Sequence, residues 1–117
     1  MTGDELERAL ADGSVTLIDV RSRAEYEGDA GYGCDPRQGH IDGAVHVDVS
    51  ELLDADPAAL PALLSGRGAD VSRPVVAYCH SGQRSAYAAA ALRAAGLTAD
   101  NYEGSWHEWS RRGGGRG

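Results

Sequence analysis

The sequence predicts an α/β domain with a central parallel sheet of about four to five strands and helices on both faces. Short apolar runs rich in Val and Ile alternate with segments of helical periodicity along the chain. This alternation requires crossover connections, which place parallel strands side by side beneath helices. The length of 117 residues suits one domain, because a chain of this size buries a single modest core.

Four segments are predicted as strands. Three are apolar runs with the length and composition of short buried strands, and the fourth, near the end of the chain, is weaker. In chain order they are Val15–Val20, Ala44–Val49, Pro74–Tyr78 and Ala99–Tyr102. Because helical segments separate them, we expect these strands to pair in parallel.

Helices are predicted between the strands from periodicity and end signals. A helix over Asp4–Leu10 places two leucines on one face, and Gly13 ends it. Ser22 and Glu25 form a capping box that starts a second helix. The remaining predicted helical segments are Ser50–Leu53, the stretch from the Asp56–Pro57 cap to Gly66, Ser85–Ala95 closed by Gly96, and a turn carrying Trp106 and Trp109.

The domain boundaries follow from composition. Residues 1–110 are predicted as a single domain, and residues 111–117 as a flexible tail of Gly and Arg with nothing apolar to bury. Segment Gly28–Gly39 contains four glycines and one proline and is predicted as a long loop.

Charge and hydropathy exclude several classes of partner. With 11 Lys and Arg against 18 Asp and Glu, the net charge is −7, so neither nucleic acid nor an anionic membrane is expected as a partner. The longest apolar run, Ala86–Leu92, has seven residues, well short of the roughly 20 needed to span a membrane. No basic region followed by an apolar segment is visible at the start of the sequence, so we expect no secretion signal. The two cysteines are too few for a disulfide scaffold, so we expect a reduced, cytoplasmic protein.

The candidate active-site loop follows the third predicted strand, where ligands bind in open parallel sheets. It contains Cys79 and a polar segment formed by His80, Ser81, Gly82, Gln83 and Arg84. Small residues let successive backbone N–H groups turn toward one atom, and the following helix adds its positive end. Together with the charge of Arg84, these effects favour a thiolate, the nucleophilic form of cysteine. The alternative, a cysteine that merely packs at the end of a core strand, does not require polar residues and a glycine between strand and helix.

Four segments in order resemble the signatures of the rhodanese-like sulfurtransferases. They are Leu17–Arg21, Gly39–Ala44, the Cys79–Arg84 loop, and Tyr102–Trp109. The resemblance extends from about Leu6 to Trp109 and is closest to the C-terminal, catalytic half of two-domain thiosulfate and mercaptopyruvate sulfurtransferases. We therefore expect a stand-alone copy of that module.

The resemblance implies sulfur transfer in two steps, without a metal or an organic cofactor. A small donor such as thiosulfate gives its outer sulfur to Cys79, and cyanide, a thiol or a protein cysteine then removes it. Asp19 and Arg21 are expected to support the loop, although an ordinary ion pair at the end of a strand explains them equally well. Trp106 is expected to pack against the sheet, with Trp106 or His107 a candidate for the rim of the active-site mouth.

Two departures from the mercaptopyruvate enzymes bear on the substrate. Those enzymes usually carry an arginine where Glu25 stands, and a negative charge there repels a carboxylate. Their active loop also continues Gly-Val-Thr, whereas this chain has Gly82, Gln83 and Arg84. Mercaptopyruvate is thus disfavoured, although Arg23 or Arg37 offers a substitute charge, and the donor stays open. The spacing Cys79-x4-Arg84 is one residue shorter than the Cys-x5-Arg loop of related phosphatases and arsenate reductases, which makes that reaction the less favoured one. A persulfide carrier or regulatory module that docks on a partner protein is the main alternative.

The remaining histidines and Cys34 receive weaker predictions. His40 is expected to donate from its ring to the backbone at the turn into the second strand. A zinc site from His40, His46, His107 and Cys34 is disfavoured, because these residues lack metal-site spacing. Cys34 is expected to be a surface thiol, or alternatively a partner that resolves an oxidised Cys79. The oligomeric state is expected to be monomer or homodimer.

Overall fold

A computed structural model describes residues 1–112, which form an α/β fold around one parallel sheet. Within this range the sheet has four strands, all paired in parallel, in the order β2-β1-β3-β4. The strands are β1 (Thr16–Asp19), β2 (Val45–His46), β3 (Val75–Tyr78) and β4 (Ala99–Asn101). The prediction of a parallel α/β domain is confirmed.

Helices connect the strands and flank the sheet. They are α1 (Gly3–Asp12), α2 (Arg23–Glu27), α3 (Val49–Asp54), α4 (Leu60–Gly66), α5 (Gln83–Ala94) and α6 (Ser105–Trp109), with a 3-10 turn at Pro57–Ala59 before α4. The predicted capping box of Ser22 and Glu25 is present at the start of α2. Between residues 1 and 112, no helix has the length and apolar character needed to cross a membrane.

The sheet separates two hydrophobic cores. Ile18 and Ala77 belong to the core that also contains the buried leucines of α3, α4 and α5. Leu17 and Val76, their neighbours along β1 and β3, belong to the other core, with α1 and α6. Adjacent residues of a strand point to opposite faces, so helices cover both faces of the sheet, as predicted.

The second strand is shorter than predicted, and the helix after it starts earlier. Asp48 caps α3: its side chain accepts from the amide of Ser50, while Glu51 accepts from the Asp48 amide. A capping box stabilises the start of a helix. Because α3 starts directly after Asp48, β2 pairs over only two residues. The predicted strand Ala44–Val49 is therefore wrong at its C-terminal end.

Asp19 and Arg21, predicted as supports of the active-site loop, form a buried ion pair at the end of β1. Their side chains are 0% and 1% exposed, and Nη2 lies 2.7 Å from Oδ2. Asp19 also accepts from the Tyr78 hydroxyl at 2.8 Å, and Arg21 donates to the carbonyl of Gly39. The guanidinium also lies 5.2 Å from the Trp106 ring, a cation–π distance. The pair thus joins β1, β3, α6 and the chain leading into β2.

The C-terminal boundary differs from the predicted one. Arg111 lies 2.9 Å from the carboxylate of Asp35, and Arg112 lies 2.7 Å from that of Asp4 and 3.2 Å from that of Glu7. These two residues therefore pack on the domain rather than starting a tail at residue 111. The remainder of the predicted tail, Gly113–Gly117, lies outside the described residues.

Asp19→Asn should destabilise the protein strongly, because it leaves the guanidinium of Arg21 buried without a counter-charge. We expect a loss of about 3–5 kcal/mol in the free energy of unfolding, measured by urea denaturation. Glu51→Gln is the matched control. It removes one charge from the much more exposed Glu51–Arg67 pair and should change stability by less than about 1 kcal/mol. Equal losses in the two variants would contradict the role assigned to Asp19.

Candidate active site

Cys79 directly follows β3 and is enclosed by the turn into α5. The residue is 1% exposed, and its Sγ accepts hydrogen bonds from the backbone amide of Gly82 at 3.1 Å and from the hydroxyl of Ser85 at 3.3 Å. The amides of Ser81 and Ser85 also donate toward the sulfur. The loop is therefore built around a single sulfur atom.

The hydrogen bonds to Cys79 favour its thiolate. Burial raises the pKa of the Cys79 thiol, but donation from the Ser85 hydroxyl and from the amides of Ser85, Gly82 and Ser81 outweighs burial. The pKa of Cys79 consequently lies below its ordinary value. Hydrogen bonds to the charged form of a group are expected to act in this direction.

The turn requires glycine at position 82. Gly82 has φ of +94°, in the left-handed region, and a Cβ atom built there would lie 2.6 Å from the carbonyl oxygen of Glu103. The Asn101 side chain holds the same turn by donating to the Gly82 carbonyl at 3.1 Å. Only glycine combines this φ with such a close backbone approach.

The start of α6 fixes the other side of the loop. The Ser105 hydroxyl accepts from the Cys79 amide at 3.1 Å and donates to the carbonyl of Tyr102 at 2.8 Å. The amides of Trp106 and His107 donate to the carbonyls of Cys79 and His80, each at 2.9 Å. Ser105 has φ of +52°, a conformation that costs free energy for a non-glycine residue. The backbone strain at Ser105 lies directly beside the candidate nucleophile.

Arg84 is held by Glu25 rather than pointing freely into the loop. Its two terminal nitrogens donate to the Glu25 carboxylate at 2.9 and 3.1 Å. Burial raises the pKa of Glu25, but hydrogen bonds from Arg84 and from the backbone of Ser22 lower it to about 2. The ion pair therefore persists at neutral pH and ties the start of α2 to the start of α5.

A cluster of aromatic and charged side chains lies against His80. The Tyr32 ring stacks on the His80 ring with centroids 3.7 Å apart. The Asp35 carboxylate, which is fully buried, lies 3.0 Å from the His80 ring and 3.3 Å from the His107 ring. The glycine-rich segment between α2 and β2 is thereby held against the loop.

The structure brings some of the predicted site residues together and separates others. The amides of Ser81 and Gly82 face the sulfur, and His80 lies at the mouth. Gln83 and Arg84 belong to the first turn of α5, so the helix begins two residues before the predicted Ser85. The left-handed turn at Gly82 allows this early start.

Within residues 1–112, the other residues predicted for the site make no hydrogen bond to the Cys79 sulfur. The Asp19–Arg21 pair bonds to Tyr78 and Gly39, on the framework behind the loop. Trp106 is 1% exposed and donates to the Arg37 carbonyl at 3.0 Å, which corrects its candidacy for the rim: the side chain packs in the core. His107, about half exposed, lies beside His80. His40 bonds to the backbone as predicted, but the acceptor is the carbonyl of Tyr26 in α2, 2.7 Å from Nδ1, rather than a group at the turn into β2.

Three contributors were missed by the sequence reasoning. The sequence identifies Ser85 only as the first residue of a helix, although its place six residues after Cys79 puts its hydroxyl on the inner face of the first turn. The sequence predicts that Glu25 repels a substrate carboxylate, but it does not predict the pairing of Glu25 with Arg84. Ser105 carries no local signal, because its approach to Cys79 depends on tertiary packing of α6.

An α/β sheet with one cysteine in a ring of amides at the end of a central strand defines a recognisable class of domain. The family model of the Rhodanese-like domain matches residues 2–112. The chain belongs to the family of rhodanese-like domains, as its sequence resemblance predicts.

Named relatives extend this assignment. The chain is 41% identical over 103 residues to a Mycobacterium tuberculosis protein provisionally named a thiosulfate sulfurtransferase, covering 84% of this chain and 36% of that protein. It is 37% identical over 110 residues to the human thiosulfate:glutathione sulfurtransferase, covering 90% of this chain and 87% of that protein. The chain thus spans about a third of the length of the mycobacterial relative and most of the human one.

Solved structures agree in fold. A human single-domain sulfurtransferase superposes with a TM-score of 0.70 at 34% identity, covering 97% of this chain and 96% of that one. A crystal structure of a protein described as a probable thiosulfate sulfurtransferase superposes with a TM-score of 0.77 at 39% identity, covering 95% of this chain and 44% of that one. The predicted rhodanese-like fold is confirmed.

Gly82→Ala should disturb the loop and destabilise the domain. The left-handed φ and the approach to the Glu103 carbonyl both oppose a Cβ atom, and we expect a loss of about 2 kcal/mol or more in the free energy of unfolding. Alkylation of Cys79 by iodoacetamide, measured in a Cys34→Ser background, should slow because the amides move away from the sulfur. Gly66→Ala is the control, since no atom lies within 4 Å of its Cβ position, and stability should stay the same or rise. Unchanged stability and alkylation in Gly82→Ala would show that the turn does not require glycine.

Glu25→Gln should reduce stability at neutral pH and lose its effect in acid. The pKa of Glu25 falls from 4.5 to about 2 on folding, so its carboxylate stabilises the fold above pH 4.5 and this contribution is lost as the pH falls toward 2. We expect a deficit of about 1–2 kcal/mol at pH 7 that shrinks steadily below pH 4.5, measured by urea denaturation across this range. Glutamine keeps an oxygen for the capping box, so capping is retained, and a deficit that does not change with pH would contradict the role assigned to the Glu25 charge.

Proposed function

We propose that this domain is a sulfurtransferase that moves sulfane sulfur through a persulfide on Cys79. The observation that carries the proposal is the position of the Cys79 sulfur, which accepts from the Gly82 amide and the Ser85 hydroxyl at the end of β3. A ring of donors of this size suits one anionic sulfur atom. The thiolate form, which the same donors favour, is the nucleophile that sulfur transfer requires.

The proposed reaction has two displacement steps. In the first, the Cys79 thiolate attacks the outer sulfur of thiosulfate, a new S–S bond forms, and the original S–S bond breaks as sulfite leaves with its electron pair. In the second, a thiolate or cyanide attacks the terminal sulfur of the persulfide, and the Cys79 thiolate leaves with the electron pair. The amides of Ser81, Gly82 and Ser85 face negative sulfur at the start and end of both steps, so no large rearrangement of the loop is required.

Access to the sulfur depends on the segment that lies against the loop. Because Cys79 is 1% exposed, a donor reaches it only when neighbouring side chains shift. Tyr32 and Asp35 contact His80, the residue after Cys79, and both belong to the glycine-rich segment between α2 and β2. We therefore propose that movement of this segment admits the donor and the acceptor.

Charge near the loop disfavours a carboxylate donor such as mercaptopyruvate, and the names of relatives support thiosulfate. Glu25 occupies both donating nitrogens of Arg84, so this arginine has little charge left to bind a substrate carboxylate. The names of the rat relative, thiosulfate sulfurtransferase, which is 35% identical over 107 residues, and of the human relative support thiosulfate as donor. The human name also supports a small thiol such as glutathione as acceptor, beside cyanide or a protein cysteine.

The proposed setting is a reducing compartment such as the cytoplasm. The chemistry requires a free thiol, and Cys34 and Cys79 are both unpaired. The acting unit is proposed to be a monomer or a homodimer, since every donor to the Cys79 sulfur named above comes from one chain.

Incubation with thiosulfate should add one sulfur atom to the protein, measured by intact mass spectrometry under non-reducing conditions. Cys79→Ser should gain none, because the nucleophile is missing. Cys34→Ser, the matched control that removes the exposed cysteine, should gain one sulfur as the unchanged protein does. Added cyanide should then release thiocyanate and restore the original mass.

Other results would redirect or overturn the proposal. Sulfur loading without turnover by cyanide or glutathione would favour a persulfide carrier that delivers sulfur to a partner protein. Absence of loading, or loading that persists in Cys79→Ser, would overturn the assignment. Cleavage of p-nitrophenyl phosphate that depends on Cys79 would favour a phosphatase instead.

A further inference from the structure

Four potential metal ligands lie together beside the active-site loop. Cys34, Asp35, His80 and His107 each offer one ligand atom, and these four atoms all lie within 4.8 Å of one another. They come from three parts of the chain: the segment between α2 and β2, the residue after the candidate nucleophile, and α6. This grouping is tertiary, which is why motif spacing along the sequence does not show it.

The contact between Asp35 and His80 points to a ligand for this cluster. The Asp35 side chain is fully buried, and its Oδ2 lies 3.0 Å from Nε2 of His80. Both atoms are buried, yet within residues 1–112 neither forms a hydrogen bond of acceptable geometry. Buried polar atoms without hydrogen bonds are costly. A cation resolves this arrangement, because it accepts electron pairs from the carboxylate oxygen and the imidazole nitrogen together.

The donor set matches the chemistry of zinc. Thiolate, carboxylate and two imidazoles are the ligand types that Zn²⁺ takes in tetrahedral sites. Bond lengths of about 2.0–2.3 Å place tetrahedral ligand atoms about 3.3–3.8 Å apart, so atoms that lie within 4.8 Å need only a small contraction. A thiolate and a carboxylate together balance the charge of a divalent ion.

Arg111 supplies positive charge at the same position. Its Nη1 lies 2.9 Å from Oδ1 of Asp35 and 3.2 Å from Nδ1 of His107. The Arg111 side chain is 38% exposed, so it has solvent to move into. Its guanidinium and a metal ion would compete for the same oxygen and nitrogen atoms.

We propose that Cys34, Asp35, His80 and His107 form a binding site for a zinc-type divalent cation, with Arg111 as its internal competitor. The site is distinct from the Cys79 sulfur, which the loop amides bind. A bound ion would connect the glycine-rich segment, the residue after Cys79, and α6 through one centre. It would thereby hold closed the segment whose movement we propose admits the donor.

The test is titration of the full, reduced chain with Co²⁺ in the absence of added thiol, followed by absorption spectroscopy. We expect visible bands of tetrahedral cobalt and a near-ultraviolet thiolate charge-transfer band, both removed by equimolar Zn²⁺. Cys34→Ser should abolish the charge-transfer band, and His107→Ala should weaken Co²⁺ binding at least tenfold. Arg111→Gln should bind Co²⁺ several times more tightly, because the competing charge is gone. Cys79→Ser should keep the complete spectrum.

The contrary outcomes are equally specific. Absence of tetrahedral bands in the unchanged protein would overturn the proposal, as would a charge-transfer band that survives Cys34→Ser or disappears in Cys79→Ser. Weaker cobalt binding in Arg111→Gln would contradict the competition. Thermal unfolding of each metal-free variant shows whether weaker cobalt binding comes from a missing ligand or from an unfolded protein. Because Cys34, His107 and Arg111 are all exposed, these variants should unfold at about the same temperature as the unchanged protein. Sulfur loading of Cys79 does not enter these readouts, so the metal site and the proposed function fail independently.

Discussion

The architecture around this site meets one constraint of the proposed reaction: a sulfur atom that is almost fully enclosed has to be stable as an anion. Burial opposes the thiolate, so the loop must present several hydrogen-bond donors to the same point. The left-handed turn at Gly82 meets this requirement, because it aims its own amide at the sulfur and starts α5 early enough for Ser85 to contribute a hydroxyl. The donors are set by backbone conformation, and their geometry therefore depends on everything that fixes the backbone.

Two supports outside the loop fix that backbone. On one side, the start of α6 binds the carbonyls of Cys79 and His80, and Ser105 accepts from the Cys79 amide in a strained conformation. On the other side, the Glu25–Arg84 ion pair joins the first turn of α5 to α2. Behind both lies the buried Asp19–Arg21 pair, which connects the ends of β1 and β3. Much of the buried polar structure thus serves to position a few amide groups.

The sequence predicted the features that depend on local signals. The parallel sheet followed from the apolar runs and their helical separators, and Cys79 followed from its place between strand and polar loop. One local signal was overlooked: Asp48 and Glu51 form a capping box, which starts α3 and shortens β2. Trp106 packs inward as predicted, and its indole donates to the Arg37 carbonyl, so only its alternative place at the rim was wrong. The grouping of Cys34 with His107 required the fold itself, since more than seventy residues separate them.

The distribution of charge at the site favours turnover over tight binding. Arg84 is neutralised by Glu25, so the negative sulfur of Cys79 is stabilised by amide and hydroxyl dipoles rather than by an unpaired cation. Dipoles held by the backbone favour a single anionic atom at short range, whereas a free guanidinium would also retain a doubly charged donor or product. The proposed cycle converts one anion into another at every step. In the proposed cycle, repeated transfer requires a site that stabilises sulfur but releases sulfite, and the pairing of Arg84 with Glu25 is the feature that serves this requirement.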